Sequence, residues 1–134
     1  ALLPLLKKAA KASIVNLSSV TGVSVADAGE VAYATTKAAV LGFTKALAME
    51  LVKDDIRVNA ILPGYVMTPM VDKMAKQSNP SNPQSVIDGI ANAIPMKRLG
   101  TPEELGELAA FLASDKSSYI DGASTLPETL TMGV

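Results

Sequence analysis

Residues 13–64 read SIVNLSSVTGVSVADAGEVAYATTKAAVLGFTKALAMELVKDDIRVNAILPG, and this stretch decides the fold. Ser13-Ile14-Val15-Asn16-Leu17 is a short, β-branched apolar run bounded by Lys11 and by Ser18-Ser19, and it reads as a buried strand. From about Val31 to Val52 the chain is rich in Ala, Leu, Met, Lys and Glu, all good helix formers. Asp27 or Gly29 is placed to cap that helix, and Lys53-Asp54-Asp55 closes it. Ile56 to Ile61 is a second strand, ended by the turn signal Pro63-Gly64. Strand, long helix, strand is a βαβ unit, so a parallel sheet is expected.

Two details of this unit point further. The helix is apolar on more than one face (Ala34, Ala38, Leu41 and Ala48; Val40, Phe43, Leu47 and Leu51), which predicts burial on several sides, by its own domain or by a partner. The segment from Ser19 to Glu30 reads as a long loop, and long ordered loops inside compact domains are usually functional.

Outward from the unit, Leu2, Leu3, Leu5 and Leu6 followed by Lys7 and Lys8 read as the end of a helix, with Lys7, Lys8 and Lys11 on a solvated face. Met67 to Gln77 is expected as a short helix, Ser78 to Pro83 as a loop, and Ser85 to Ala93 as a further helix. Thr101-Pro102-Glu103-Glu104 has the form of a helix start, with an N-cap Thr, Pro at the first helical position and acids in the first turn; that helix runs to about Ala113. The tail from Ile120 shows little periodicity. Two strands are too few for a parallel sheet buried on both faces, so residues 1–134 are expected to be part of an α/β domain.

Composition narrows the chemistry. The chain has 134 residues, with 12 Lys and Arg against 13 Asp and Glu, which argues against a nucleic-acid surface or a polybasic membrane patch. No stretch is long and apolar enough to cross a membrane, Ala1 to Ala10 lack a signal-peptide pattern, and a cysteine-free chain fits a cytoplasmic setting. With no Cys and no His, thiolate or imidazole metal sites, Cys nucleophiles and Ser-His-Asp chemistry all drop out, and no metal site is expected. Proton transfer falls to Tyr, Lys, Asp or Glu.

Tyr33 and Lys37 lie four apart near the start of the long helix, so they share a face. An ammonium beside a phenol favours the phenolate and lowers its pKa, which makes Tyr33 the best acid/base candidate in the chain. Alone, Y-x-x-x-K is a weak signal, since an aromatic core residue and a solvated Lys give the same spacing. Context strengthens it. Ser19 and Pro63-Gly64 follow the C-terminal ends of the two strands, the edge where parallel α/β sheets bind ligands.

With these residues placed, the chain resembles the C-terminal half of a short-chain dehydrogenase/reductase. The matching runs are Ile14-Val15-Asn16-Leu17-Ser18-Ser19, Tyr33-Ala34-Thr35-Thr36-Lys37, Arg57-Val58-Asn59-Ala60-Ile61-Leu62-Pro63-Gly64, Ile94 to Glu104, Phe111 to Asp115, and Ser117-Ser118-Tyr119, in the family's order. The resemblance implies a Rossmann-like parallel sheet with flanking helices, the second half of a doubly wound domain. It implies an NAD- or NADP-dependent oxidoreductase interconverting an alcohol and a ketone or aldehyde. Tyr33 then resembles the general acid/base. Lys37 resembles the residue that supports Tyr33 and holds the nicotinamide ribose, and Ser19 the residue that polarises the substrate carbonyl. Pro63, Gly64, Val66 and Thr68 resemble the loop against the nicotinamide and diphosphate. Ser18 and Asn59 resemble structural positions. Met67, Met70 and Met74 follow that loop as candidate walls of an apolar pocket. The family also implies a homo-oligomer, a dimer or homotetramer, with the Tyr33 helix packed against its copy.

Two departures stand out. The family's Gly-rich TGxxxGxG loop, its cofactor-selecting residue after the second strand and its Asn-Asn-Ala-Gly stretch have no counterpart here. After Ser-Ser-Tyr, the Thr-Gly and last strand that the family places before Asp-Gly-Gly are also missing, because Tyr119 passes directly to Ile120-Asp121-Gly122. The expectation is an incomplete record of a longer polypeptide. The alternative is a catalytically inert fragment that keeps only the association surface.

Overall fold

At the centre of the molecule is a strand with almost no exposed surface. The computed structural model describes residues 2–125. Its sheet has three parallel strands in the order β1 (Ala12–Leu17), β2 (Ile56–Ile61), β3 (Ser124–Thr125). β1 and β2 pair along their whole length, from Ala12 opposite Ile56 to Leu17 opposite Ile61. Between them runs the long helix α2 (Val31–Leu51), preceded by the short α1 (Leu3–Leu6). After β2 come α3 (Pro69–Ser78), α4 (Pro83–Ala93) and α5 (Pro102–Ala113).

Side-chain alternation along β1 sets the layers, because successive residues of a strand point to opposite faces. Ser13 Oγ donates to the Leu112 carbonyl on α5 (2.9 Å), whereas Asn16 Nδ2 donates to Thr44 Oγ1 on α2 (3.0 Å). The sheet is therefore covered by α2 on one face and by α5 on the other. On the α2 face, Ile56 and Val58 pack with Ala48 and Leu51 near the start of β2, and Ala60 packs with Val20, Leu41 and Leu62 near its end. A third cluster, Val71, Ile94 and Leu99, holds α3 and α4 together.

Local chemistry explains the helix starts. α3, α4 and α5 each begin with a Pro preceded by a capping side chain: Thr68, Asn82 and Thr101 accept from the backbone N–H of Val71, Ser85 and Glu104. At α5 the cap is reciprocal, with the Thr101 N–H donating back to Glu104 (2.9 Å). Pro83 takes the first helical position, three residues before the first apolar side chain Val86, so α4 begins earlier than Ser85.

Three expectations are corrected. β1 is only half-buried, and Leu17 is exposed, because β1 is an edge strand paired on one side among the described residues. Neither Asp27 nor Gly29 caps α2; Glu30 occupies the cap position and makes no side-chain cap bond. A strand after Tyr119, expected to be missing, is present among the described residues as β3. Asp121 Oδ1 accepts from the N–H of Val58 (2.7 Å) and of Gly122 (3.0 Å). The fully buried Asn59 donates to the Ile120 carbonyl (2.8 Å) and accepts from the Ala123 N–H (3.0 Å). Gly122 supplies the left-handed turn (φ +67°) that the path needs. The side chains of Asn59 and Asp121 thus guide residues 120–125 alongside β2.

Candidate active site

The C-terminal ends of β1 and β2 and the first two turns of α2 meet at one corner. Lys37 joins them twice. Its carbonyl accepts from Ser18 Oγ (2.6 Å), and its Nζ donates to the Leu17 carbonyl (3.2 Å). The same Nζ lies 5.7 Å from the centre of the Tyr33 ring. The helical spacing of four therefore becomes a contact, with the ammonium fixed beside the phenol and the ring itself half-exposed.

Ser19 is buried one residue beyond the end tied to Lys37, and its Oγ accepts from the Thr21 N–H (3.1 Å). That bond uses an acceptor position and leaves the hydroxyl proton available to donate. The loop then turns at Gly22 (φ +87°), where a Cβ would stand 2.3 Å from the Ala34 carbonyl oxygen. Only glycine lets the loop lie this close to the turn of α2 that carries Tyr33.

The second loop is pinned to the first through the Val20 N–H, which donates to the Pro63 carbonyl (3.1 Å). Further on, Val66 pairs with Gly100 in an isolated parallel bridge, formed by the Gly100 N–H to the Tyr65 carbonyl and the Met67 N–H to the Gly100 carbonyl. The peptide groups of Val66 itself point away from that bridge and make no backbone bond among the described residues. Thr68 is committed to capping α3. Gly64, Tyr65 and Val66 also wall a cavity of about 390 Å³, closed on the other side by Arg98, Thr101, Glu104 and Leu105.

The structure thus brings together Ser19, Lys37, Tyr33 and Pro63, and sets Val66 and Thr68 on the adjoining loop. Met67, Met70 and Met74 are exposed and do not line this cavity. Two nearby residues had no sequence expectation attached. Tyr65 is half-exposed, and burial together with the Asp27 and Glu30 carboxylates pushes its phenol up from the ordinary value. Glu30 has a carboxylate oxygen, Oε2, that is buried and without a hydrogen-bond partner among the described residues. In the sequence Glu30 stands three residues before Tyr33, at the position that precedes the first turn of α2. Among the described residues no group of His, Cys, Asp and Glu is placed to hold a metal ion, and no helix is long and apolar enough to cross a membrane.

Comparison with known proteins gives the same direction. The family model described as Enoyl-(Acyl carrier protein) reductase matches residues 1–126. The oxidoreductase UcpA of Escherichia coli (strain K12) is 61% identical over 128 residues, which cover 90% of this chain and 49% of that protein. The human (3R)-3-hydroxyacyl-CoA dehydrogenase is 42% identical over 120 residues, 90% of this chain and 42% of that one. The crystal structure of L-sorbose reductase from Gluconobacter frateurii, complexed with NADPH and L-sorbose, superposes with a TM-score of 0.90 at 32% identity, covering 98% of this chain and 52% of that one. The chain spans about half the length of these relatives.

Proposed function

The chain belongs to the short-chain dehydrogenase/reductase family, with its Rossmann-like parallel sheet, and on that premise we propose that residues 1–134 are the second half of an oxidoreductase domain. The reaction is the interconversion of an alcohol and a ketone or aldehyde with NAD or NADP. The observation that carries this reading is the placement of Lys37 Nζ 5.7 Å from the Tyr33 ring, at the corner where both strand ends and Ser19 meet.

The residues present fit a dinucleotide. The Lys37 ammonium has three donors and spends one on Leu17, leaving two for the ribose hydroxyls. Val66 keeps a free peptide N–H for a carboxamide oxygen, Pro63 and Gly64 let backbone come close, and the Thr68 hydroxyl still has a proton for a phosphate oxygen. When bound, the nicotinamide supplies or accepts the hydride. Tyr33 Oη gives the proton to the carbonyl oxygen, or takes it from the hydroxyl in the reverse direction. Ser19 Oγ donates to the same oxygen and holds it in place. Lys37 stabilises negative charge on the phenolic oxygen while the proton is away.

The relatives act on substrates as different as a hydroxyacyl-CoA and L-sorbose, so what carries over is a small-molecule alcohol–carbonyl pair. Assembly is the second element of the proposal. Ala39, Gly42, Phe43, Ala46 and Met49 form an exposed stripe on α2, opposite the buried Leu41, Thr44, Ala48 and Leu51. That stripe suits a homo-oligomeric contact, a dimer or tetramer, and is what the inert-fragment reading would retain.

The reading is tested by mixing the full-length protein with a panel of ketones and either NADH or NADPH, and following the nicotinamide absorbance. We expect consumption of at least one cofactor with equimolar alcohol formed. No consumption with any ketone would contradict the reading and leave the association surface as the function of this half.

A further inference from the structure

The end of α2 that carries Tyr33 and Lys37 is not held by apolar packing. None of residues 31–40 is buried, and the buried side chains of the helix, Leu41, Thr44, Ala48 and Leu51, all come later. Polar ties must therefore set where these first turns lie. Among the described residues two hydrogen bonds join residues 31–40 to β1 and its loop: Ser18 Oγ to the Lys37 carbonyl (2.6 Å) and Lys37 Nζ to the Leu17 carbonyl (3.2 Å). The second is open to solvent, where water competes for both partners. The first is shorter, and Ser18 is buried. Ser18 is also fixed on its other side, because its N–H donates to the Ile61 carbonyl at the end of β2 (2.9 Å). The next residue along the chain is Ser19. One side chain thus spans from the strand ends that bear Ser19 to the helix turns that bear Tyr33.

Resting on the oxidoreductase reading above, we propose that Ser18 is a positioning residue for the reaction: its bond to the Lys37 carbonyl holds Tyr33 in register with Ser19, so that both hydroxyls reach the same substrate oxygen. Ser18 acts through that bond alone, since its one hydroxyl proton is already donated to Lys37. Three pieces of chemistry support this. Tyr33 Oη and Ser19 Oγ sit on different elements, yet each must come within hydrogen-bond reach of one atom. A misplacement on the order of 1 Å between such groups lowers the rate by about 10²-fold. The helix itself has no need of the bond, because the Lys37 carbonyl keeps its place in the i to i+4 ladder of α2. Removing the Ser18 hydroxyl therefore loosens the register without leaving a buried acceptor unmatched.

The test is a double-mutant cycle on the full-length protein, assayed with the fastest ketone of the panel above: wild type, Ser18→Ala, Ser19→Ala and the double variant. NADH and NADPH affinities are read by fluorescence titration and folding by thermal unfolding. We expect Ser18→Ala to lower kcat about tenfold or more, with KM and cofactor affinity within a few-fold of wild type. In the Ser19→Ala background the same change is expected to lower kcat by less than about threefold, because no Ser19 hydroxyl is left to keep in register. The cycle is run again with Ser18→Cys, which keeps the volume of the side chain and offers only a weak donor. It is expected to show the same kcat loss at near-wild-type thermal stability. Losses that multiply across the cycle would overturn the proposal, and so would wild-type kcat in Ser18→Ala. A loss seen in Ser18→Ala and absent from Ser18→Cys would overturn it as well, by making Ser18 a filler of space. Absence of turnover by wild type with every ketone would instead bring down the oxidoreductase reading itself, and this proposal with it.

Discussion

At Gly22 a single hydrogen atom lets the loop after β1 pack against the start of α2. Its φ of +87° and the 2.3 Å approach of a Cβ to the Ala34 carbonyl leave no room for a side chain. Gly22→Ala is expected to cost about 1–3 kcal/mol of stability, read by denaturant unfolding. It is also expected to lower kcat by more than stability alone predicts, because the loop that yields carries Ser19. Asn59 is the structural counterpart. Both ends of its amide are bonded to the tail that forms β3, so Asn59→Ala leaves a carbonyl and an N–H unmatched, at a cost of about 2–4 kcal/mol in the same measurement. The Tyr33 and Lys37 pair was legible in the sequence because helical spacing is a local rule. Gly22 was not, because its meaning depends on which carbonyl a loop meets after folding.

Among the elements, α5 shows how far local signals reach. Its Thr-Pro-Glu-Glu start is read correctly from sequence, and the structure adds Arg98, whose guanidinium makes two bonds to Glu104 (2.6 and 2.8 Å). The Arg98 hydrogen bond, followed by the Thr101 backbone N–H, holds the Glu104 carboxyl well below the usual carboxylate range, at about 2. A depressed folded-state value stabilises the fold above the ordinary carboxylate range and is lost as pH falls toward 2. Arg98→Leu is therefore expected to be less stable than wild type at neutral pH, with the gap closing between about pH 4.5 and 2 when unfolding is followed across that window. β1 marks the limit of local reading. An apolar run predicts a strand, but whether both of its edges are paired depends on chain that lies elsewhere in the fold.

At the scale of the molecule, the α/β class and the order of its elements followed from periodicity, since each is written in consecutive residues. The third strand did not, because its two described residues carry no period and their pairing depends on the bonds of Asn59 and Asp121. The exposed stripe of α2 belongs to this scale too. Phe43→Asp is expected to shift the full-length protein toward smaller species in sedimentation velocity, and an unchanged distribution would remove α2 from the assembly contact. The central claim is that Tyr33 moves the proton. The most direct test is the full-length Tyr33→Phe variant, assayed for turnover and, in parallel, for reduced-cofactor binding by fluorescence titration. The account predicts a fall in kcat of about 10²–10⁴-fold with cofactor affinity within a few-fold of wild type. A variant that keeps wild-type kcat would contradict it.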